Sequence, residues 1–253
     1  MNVLTTLIIG FSVIAAGVLY VTYALFLHNI NKSPRALITA ALLLLGLSFL
    51  QLGHLEYINT GVDPLDSLDY RFWLFLTPPM FYLFSRSILF EETRFLWSSL
   101  LHIAPLVLIF VTQVEISISI LFCIGTGYSL WLTQVIYNLR STRERSSFEL
   151  FFAGLFSIMA ITVLVLGFSL PYMDVGYFYY SYAVSIGLAL ILVVGVLLSF
   201  PHLLTELAEV AKLSYATSTL TDVDIEAKKR QLEDVMVRDK LYEDEQLTLS
   251  GLA

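Results

Sequence analysis

The sequence predicts an all-α polytopic membrane protein, and three observations carry that prediction. Hydrophobic residues make up 57% of the chain and charged residues only 14%, with a mean hydropathy of +0.79, whereas an ordinary soluble domain carries roughly 25% charged residues. Apolar runs recur along residues 1–200, each long enough (~18 residues or more) to cross a bilayer core as a helix. The alternation over ~10 residues that marks an outer-membrane strand is absent, which excludes a transmembrane barrel.

Seven spans follow in order, and they make residues 1–200 one membrane domain. The first, Val3–His28, is too long for the apolar core of a signal peptide and has no basic stretch before it, so it reads as a permanent span. Ala36–Ile58 is the second. The third, Phe72–Phe90, contains Pro78 and Pro79, which interrupt the helical hydrogen-bond ladder and make a candidate hinge. The fourth, Trp97–Val114, is divided from the fifth, Ile116–Leu139, by the polar residues Gln113, Glu115 and Ser117. Run together they would make a helix about twice the bilayer thickness, so the chain must turn between them. The sixth and seventh spans are Phe148–Leu170 and Tyr177–Phe200. The single cysteine, Cys123, lies within an apolar run and reads as a buried structural thiol.

Charge predicts the orientation. Lys32, Arg35, Arg86, Arg94, Arg140, Arg143 and Arg145 fall in or beside the odd-numbered loops, and only Arg71 falls in an even-numbered one. Basic loops face the cytoplasm, so the N-terminus is expected outside and the C-terminus inside, in a bacterial inner membrane. That result requires an odd number of spans. Tyr177, Phe178, Tyr179, Tyr180 and Tyr182 cluster at the outer start of the seventh span. They read as an interfacial belt or, for one or two of the tyrosines, as ligand-facing groups.

Beyond Phe200 the composition changes abruptly. Pro201 stops the last span, and residues 201–221 read as a connector, amphipathic at Leu203, Leu207 and Val210 and then polar. Residues 222–253 form a third region. Its opening helix runs to about Lys240, with acids Asp222, Asp224 and Glu226 in the first turn.

This tail is similar to the opening of an AraC-type DNA-binding domain, which begins with a Leu-x-x-x-Met helix face, a tyrosine-bearing turn and a Leu-Thr-Leu-x-x-Leu-Ala segment. The matching residues are Leu232, Met236, Lys240, Tyr242, Asp244, Leu247, Thr248, Leu249, Leu252 and Ala253. Glu245 stands where the family often has proline. The membrane half also resembles the seven-span body of some regulators of that family, whose third span reads Gly-Pro-x-x-Tyr-x-Tyr-x-Arg-Ser before a His-x-x-Pro stretch. Here Pro78, Pro79, Phe81, Tyr82, Arg86, Ser87, His102 and Pro105 match, while the glycine before the proline is absent and Thr77 and Pro78 stand there. The resemblance implies a membrane-embedded sensor that passes an external or intramembrane signal to a cytoplasmic helix-turn-helix domain. Of that domain only the start is present at Ala253. DNA is therefore expected as a partner only through the rest of it, and the six basic and eleven acidic residues from Pro201 onward oppose phosphate binding.

Ionisable and polar groups inside spans are costly, which makes them functional candidates. Gln51, His54 and Glu56 near the outer end of the second span, Arg71 and Trp73 at the start of the third, and Tyr177 and Tyr180 are candidates for a pocket open to the outside. Glu56 and Arg71 are equally read as side chains that snorkel to the interface. Arg86 and His102 lie towards the cytoplasmic side as candidates for packing, Arg86 with Glu91 or a headgroup phosphate. No catalytic set, metal-ligand spacing or phosphate-cradling loop is present, so neither an enzyme nor a cofactor is expected. The expected partners are membrane lipids, an unidentified small-molecule or protein signal, and a second copy in a homodimer. A small seven-span transporter, or another receptor with a tail that does not bind DNA, is the alternative. The transporter would call for internal repeats and broken helices around a midplane site.

Overall fold

The computed structural model describes residues 2–26, 33–90, 98–111, 114–139 and 146–200. Every element among them is helical. Helix α1, Asn2–Val21, passes into a π-helical turn at Thr22–Phe26. Helix α2 is Pro34–Thr60 and α3 is Leu68–Leu89. Two short helices, α4 (Ser98–Leu101) and α5 (Leu108–Val111), flank a 3-10 turn at Ala104–Val107. The long helices α6 (Val114–Leu139), α7 (Ser146–Ser169) and α8 (Val175–Ser199) follow.

The ends are set by local chemistry. Ser33 accepts the amide of Ala36 at 3.2 Å, and Pro34 takes the first helical position, where its missing N–H costs nothing. Gly61, at φ 73°, closes α2 in the left-handed region that favours glycine. Asp63 caps the 3-10 turn Pro64–Asp66, and Asp174 caps α8 by accepting the Gly176 amide at 2.8 Å.

The four helical segments Val3–Leu25, Pro34–Thr60, Ile116–Asn138 and Val175–Ser199 are long and apolar enough to cross a membrane. Their outward faces carry exposed Leu7, Ile14, Val18, Leu45 and Leu198, as a lipid-facing surface requires. The predicted fourth span differs. It is broken into α4, the 3-10 turn and α5, with Pro105, which cannot donate to the Leu101 carbonyl, in the first turn of the 3-10 segment. By contrast, α3 continues through Pro78 and Pro79, which leaves the carbonyls of Leu74 and Phe75 without their helical donors.

The six long helices close a ring. Neighbours run α1–α2–α3–α6–α7–α8 and back to α1, and α2 also touches α8 across it. The broken segment packs on α3 and α6. The main core, with Leu50, Leu74, Phe75, Ile118, Leu121, Phe178 and Tyr179, lies between these helices.

Two expectations are corrected. Cys123 is exposed, not buried: Leu121, Phe122 and Thr126 are the buried positions on that stretch of α6, and helical rotation turns the thiol at 123 away from them. The aromatic cluster of α8 is not a belt throughout. Tyr177 is exposed, but Phe178, Tyr179 and Tyr182 are buried, because the inward face of α8 passes through positions 178–179, 182–183 and 186–187. His28, Trp97 and Gln113, the basic loop residues Lys32, Arg94, Arg140, Arg143 and Arg145, and the whole of 201–253 with its Leu232, Met236, Tyr242, Leu247, Thr248, Leu249, Leu252 and Ala253 lie outside the described residues.

Candidate functional site

The polar residues of the second span meet in one buried network. Gln51 and His54 are fully buried, both 0% exposed. They lie three apart on α2 and so share a face. The Gln51 amide nitrogen donates to the Ser12 hydroxyl of α1 at 2.9 Å and to the backbone carbonyl of Ala183 on α8 at 3.1 Å. Gly187, one turn further along α8, has no side chain, and a Cβ there would collide with Ile8 of α1. That gap lets α1 approach α8 at the level of Ser12.

These contacts fix the direction of every bond in the network. A backbone carbonyl only accepts, so Gln51 presents its NH2 group to Ala183 and its oxygen to His54. The His54 Nδ1, 3.0 Å from that oxygen, must therefore carry a proton and donate. In the neutral ring Nε2 then accepts from the Tyr70 hydroxyl at 2.8 Å. At the other end, the Ser12 hydroxyl donates to the Ile8 carbonyl at 2.6 Å. One chain of bonds thus joins α1, α2, α3 and α8 with both ring nitrogens used. Gly53 makes room for it: a Cβ there would stand 2.6 Å from the Tyr70 ring.

Aromatic rings close over the network. Tyr182 and Tyr70 meet the His54 ring edge-on, at centroid distances of 5.2 and 5.8 Å, and Tyr179 lies tilted at 5.7 Å. The Tyr179 hydroxyl donates to Asp63, whose carboxylate also accepts the Leu65 amide at 2.9 Å. The turn between α2 and α3 is thereby tied to α8.

A second cluster lies at the opposite end of α3. His102 Nδ1 meets the Tyr128 hydroxyl of α6 at 2.8 Å. The Tyr82 ring packs against His102, Tyr128 and Trp131 at 4.2, 4.7 and 4.8 Å. Arg86 reaches the Tyr82 hydroxyl at 3.4 Å.

The structure therefore brings Gln51 and His54 together, but closed off from solvent and not lining an outward pocket. Glu56 and Tyr177 are exposed, and Tyr180 is half-buried. Trp73 stacks on Phe49 at 4.8 Å. Arg71 is half-buried, and its Nε has no hydrogen-bond partner among the described residues. Sequence reasoning missed Ser12, Tyr70, Ala183, Tyr128 and Trp131. A small-residue pattern, Ala183 and Gly187 four apart on α8, was the available signal for a close helix contact there. Among the described residues no three His, Cys, Asp or Glu side chains converge as a metal site would need. No family model, curated protein or solved structure matches the chain.

Proposed function

We propose that the chain is the membrane-embedded sensing half of a bacterial AraC-type transcriptional regulator. In this reading seven segments cross the inner membrane, the N-terminus faces out, and the C-terminus delivers a helix-turn-helix domain to the cytoplasm. The observation that carries the proposal is the ordered spacing from Leu232 to Ala253, together with the second match in the third span. The clustering of Tyr82, Arg86 and His102, three residues of that second match, adds support: they meet at one end of α3. The excess of basic residues in alternate loops supports the orientation.

A signal would act by favouring one packing of the helix ring over another, which requires different affinity for the two states. The direct test has two parts. The reading frame that continues past Ala253 should encode two helix-turn-helix units; an open frame lacking them sinks the regulator reading. In a Cys123→Ser background, a cysteine at Tyr177 should react with an impermeant thiol reagent from outside, and one at Arg143 only after the cytoplasmic face is opened. The reverse pattern would overturn the orientation. Substrate flux through the protein in liposomes, with no such frame downstream, would point to the transporter instead.

A further inference from the structure

The helix ring holds a partly open cavity of about 470 Å³ walled by all six long helices. That is within the range of small-molecule sites, ~300–1,000 Å³. Its wall is overwhelmingly aliphatic and aromatic, and none of the described residues that form it is charged or a histidine. An ionised ligand would find no counter-charge there and would bear most of its desolvation cost.

The wall nevertheless carries hydrogen-bonding capacity that the described residues do not use. Ser85 on α3, Ser129 on α6 and Tyr182 on α8 line the cavity and are only 8%, 6% and 8% exposed. None of their three hydroxyls is bonded within the described residues, whereas nearby Thr77 and Thr126 are bonded to the Trp73 and Ala160 carbonyls at 2.7 and 3.1 Å. Tyr23, on the π-helical turn after α1, also lines the cavity, and its buried hydroxyl has no partner among the described residues. Four hydroxyls with no partner among the described residues thus line one apolar space, and one of them, that of Tyr23, is itself fully buried, where polar groups are generally paired.

We propose that this cavity is a binding site for a neutral, elongated, largely apolar molecule bearing a hydroxyl or carbonyl group. The apolar wall takes the chain, and the free hydroxyls of Tyr182, Ser129 and Ser85 take the polar group. Tyr182 also touches His54, so a ligand beneath it contacts the network that joins α1, α2, α3 and α8. The inference concerns binding alone and stands apart from the regulator reading.

The test uses the full chain in lipid nanodiscs and a long-chain primary alcohol carrying a mid-chain diazirine. Saturable photolabelling is expected on wall residues of α6 and α8, displaced by unlabelled hexadecanol but not by palmitate at a pH where palmitate is ionised. Tyr182→Phe and Ser129→Ala keep the wall shape and remove hydroxyls that bond nothing among the described residues, so both should fold. At least one should weaken the alcohol by about two- to tenfold, the effect of one hydrogen bond, while leaving a hydrocarbon of equal length unchanged. Ser129→Leu should reduce labelling of the wall. Labelling that does not saturate and spreads to outward residues such as Leu7 and Ile14 would show ordinary lipid contact and overturn the proposal. So would displacement by palmitate as strong as by hexadecanol, or unchanged alcohol affinity in both hydroxyl variants.

Discussion

At the residue level the Gln51–His54 pair is the most consequential feature, because each side chain leaves buried partners stranded if it is removed. Gln51→Leu deprives His54 Nδ1–H of its acceptor and Ser12 of its donor. A stranded buried donor costs about 1–3 kcal/mol, and interhelical hydrogen bonds in membranes average nearer ~0.6 kcal/mol. Gln51→Leu and His54→Leu should therefore each destabilise the protein by about 1–2 kcal/mol, read as a lower midpoint in detergent-mediated thermal unfolding. The double variant should cost less than the sum, since its two principal partners go together; strict additivity would mean that the pair does not act as a unit. Tyr179→Phe removes the bond to Asp63 and should cost about 1 kcal/mol, whereas Tyr177→Phe, on an exposed ring, should be neutral within about 0.5 kcal/mol. The sequence made Gln51 and His54 legible because polar side chains three apart in an apolar run are conspicuous. Their partners were not legible. Ala183 contributes a backbone carbonyl, which no side-chain pattern marks, and Ser12 and Tyr70 are ordinary residues whose role exists only once α1 and α3 pack on α2.

At the level of elements, the long helices were readable from apolar length, and their observed ends lie close to the expected ones where caps such as Ser33, Gly61 and Asp174 set them. What length could not reveal was whether a run holds together as one helix. Pro105 breaks its segment, while Pro78 and Pro79 sit inside an unbroken α3. Within α3 the Pro78 ring faces α6 at Gly125, where an added Cβ would lie 3.6 Å from it. Glycine spacing is the matching device on the other helices. Gly187→Val would drive a side chain into Ile8 and force α1 away from α8, an overpacking that costs about 1–3 kcal/mol. Because that same approach delivers Ser12 to Gln51, Gly187→Val combined with Ser12→Ala should cost little more than Gly187→Val alone. Gly195→Val, at an open position of the same helix, serves as the control and should leave the unfolding midpoint nearly unchanged.

At the scale of the whole described body, the closed ring makes α1 a structural neighbour of α8 although the two lie at opposite ends of it. Composition and span counting carry no information about such closure, since each span satisfies its own backbone and is stable in lipid before it meets another. The ring also explains why a cavity persists inside an apolar body. Across its middle, the contact of α2 with α8 is drawn together by Gln51 and Ala183, whereas the cavity wall is mostly aliphatic and aromatic, and a hydrogen bond between helices there, from Thr126 to the Ala160 carbonyl, joins α6 to α7 rather than closing the ring across its middle. Independent span stability makes closure testable by cutting the chain. If the gene is split between Phe26 and Ser33 and the two parts are co-expressed, the α1 fragment should reassemble with the remainder through its contacts with α2 and α8, and the parts should purify together in mild detergent. Gly187→Val in the larger part should reduce recovery of the α1 fragment severalfold, because it acts at the α1–α8 contact itself, while Gly195→Val should not. Co-purification that ignored Gly187→Val would mean that α1 is held by α2 alone, and the ring would then be open on the side where the cavity meets Leu19 and Tyr23.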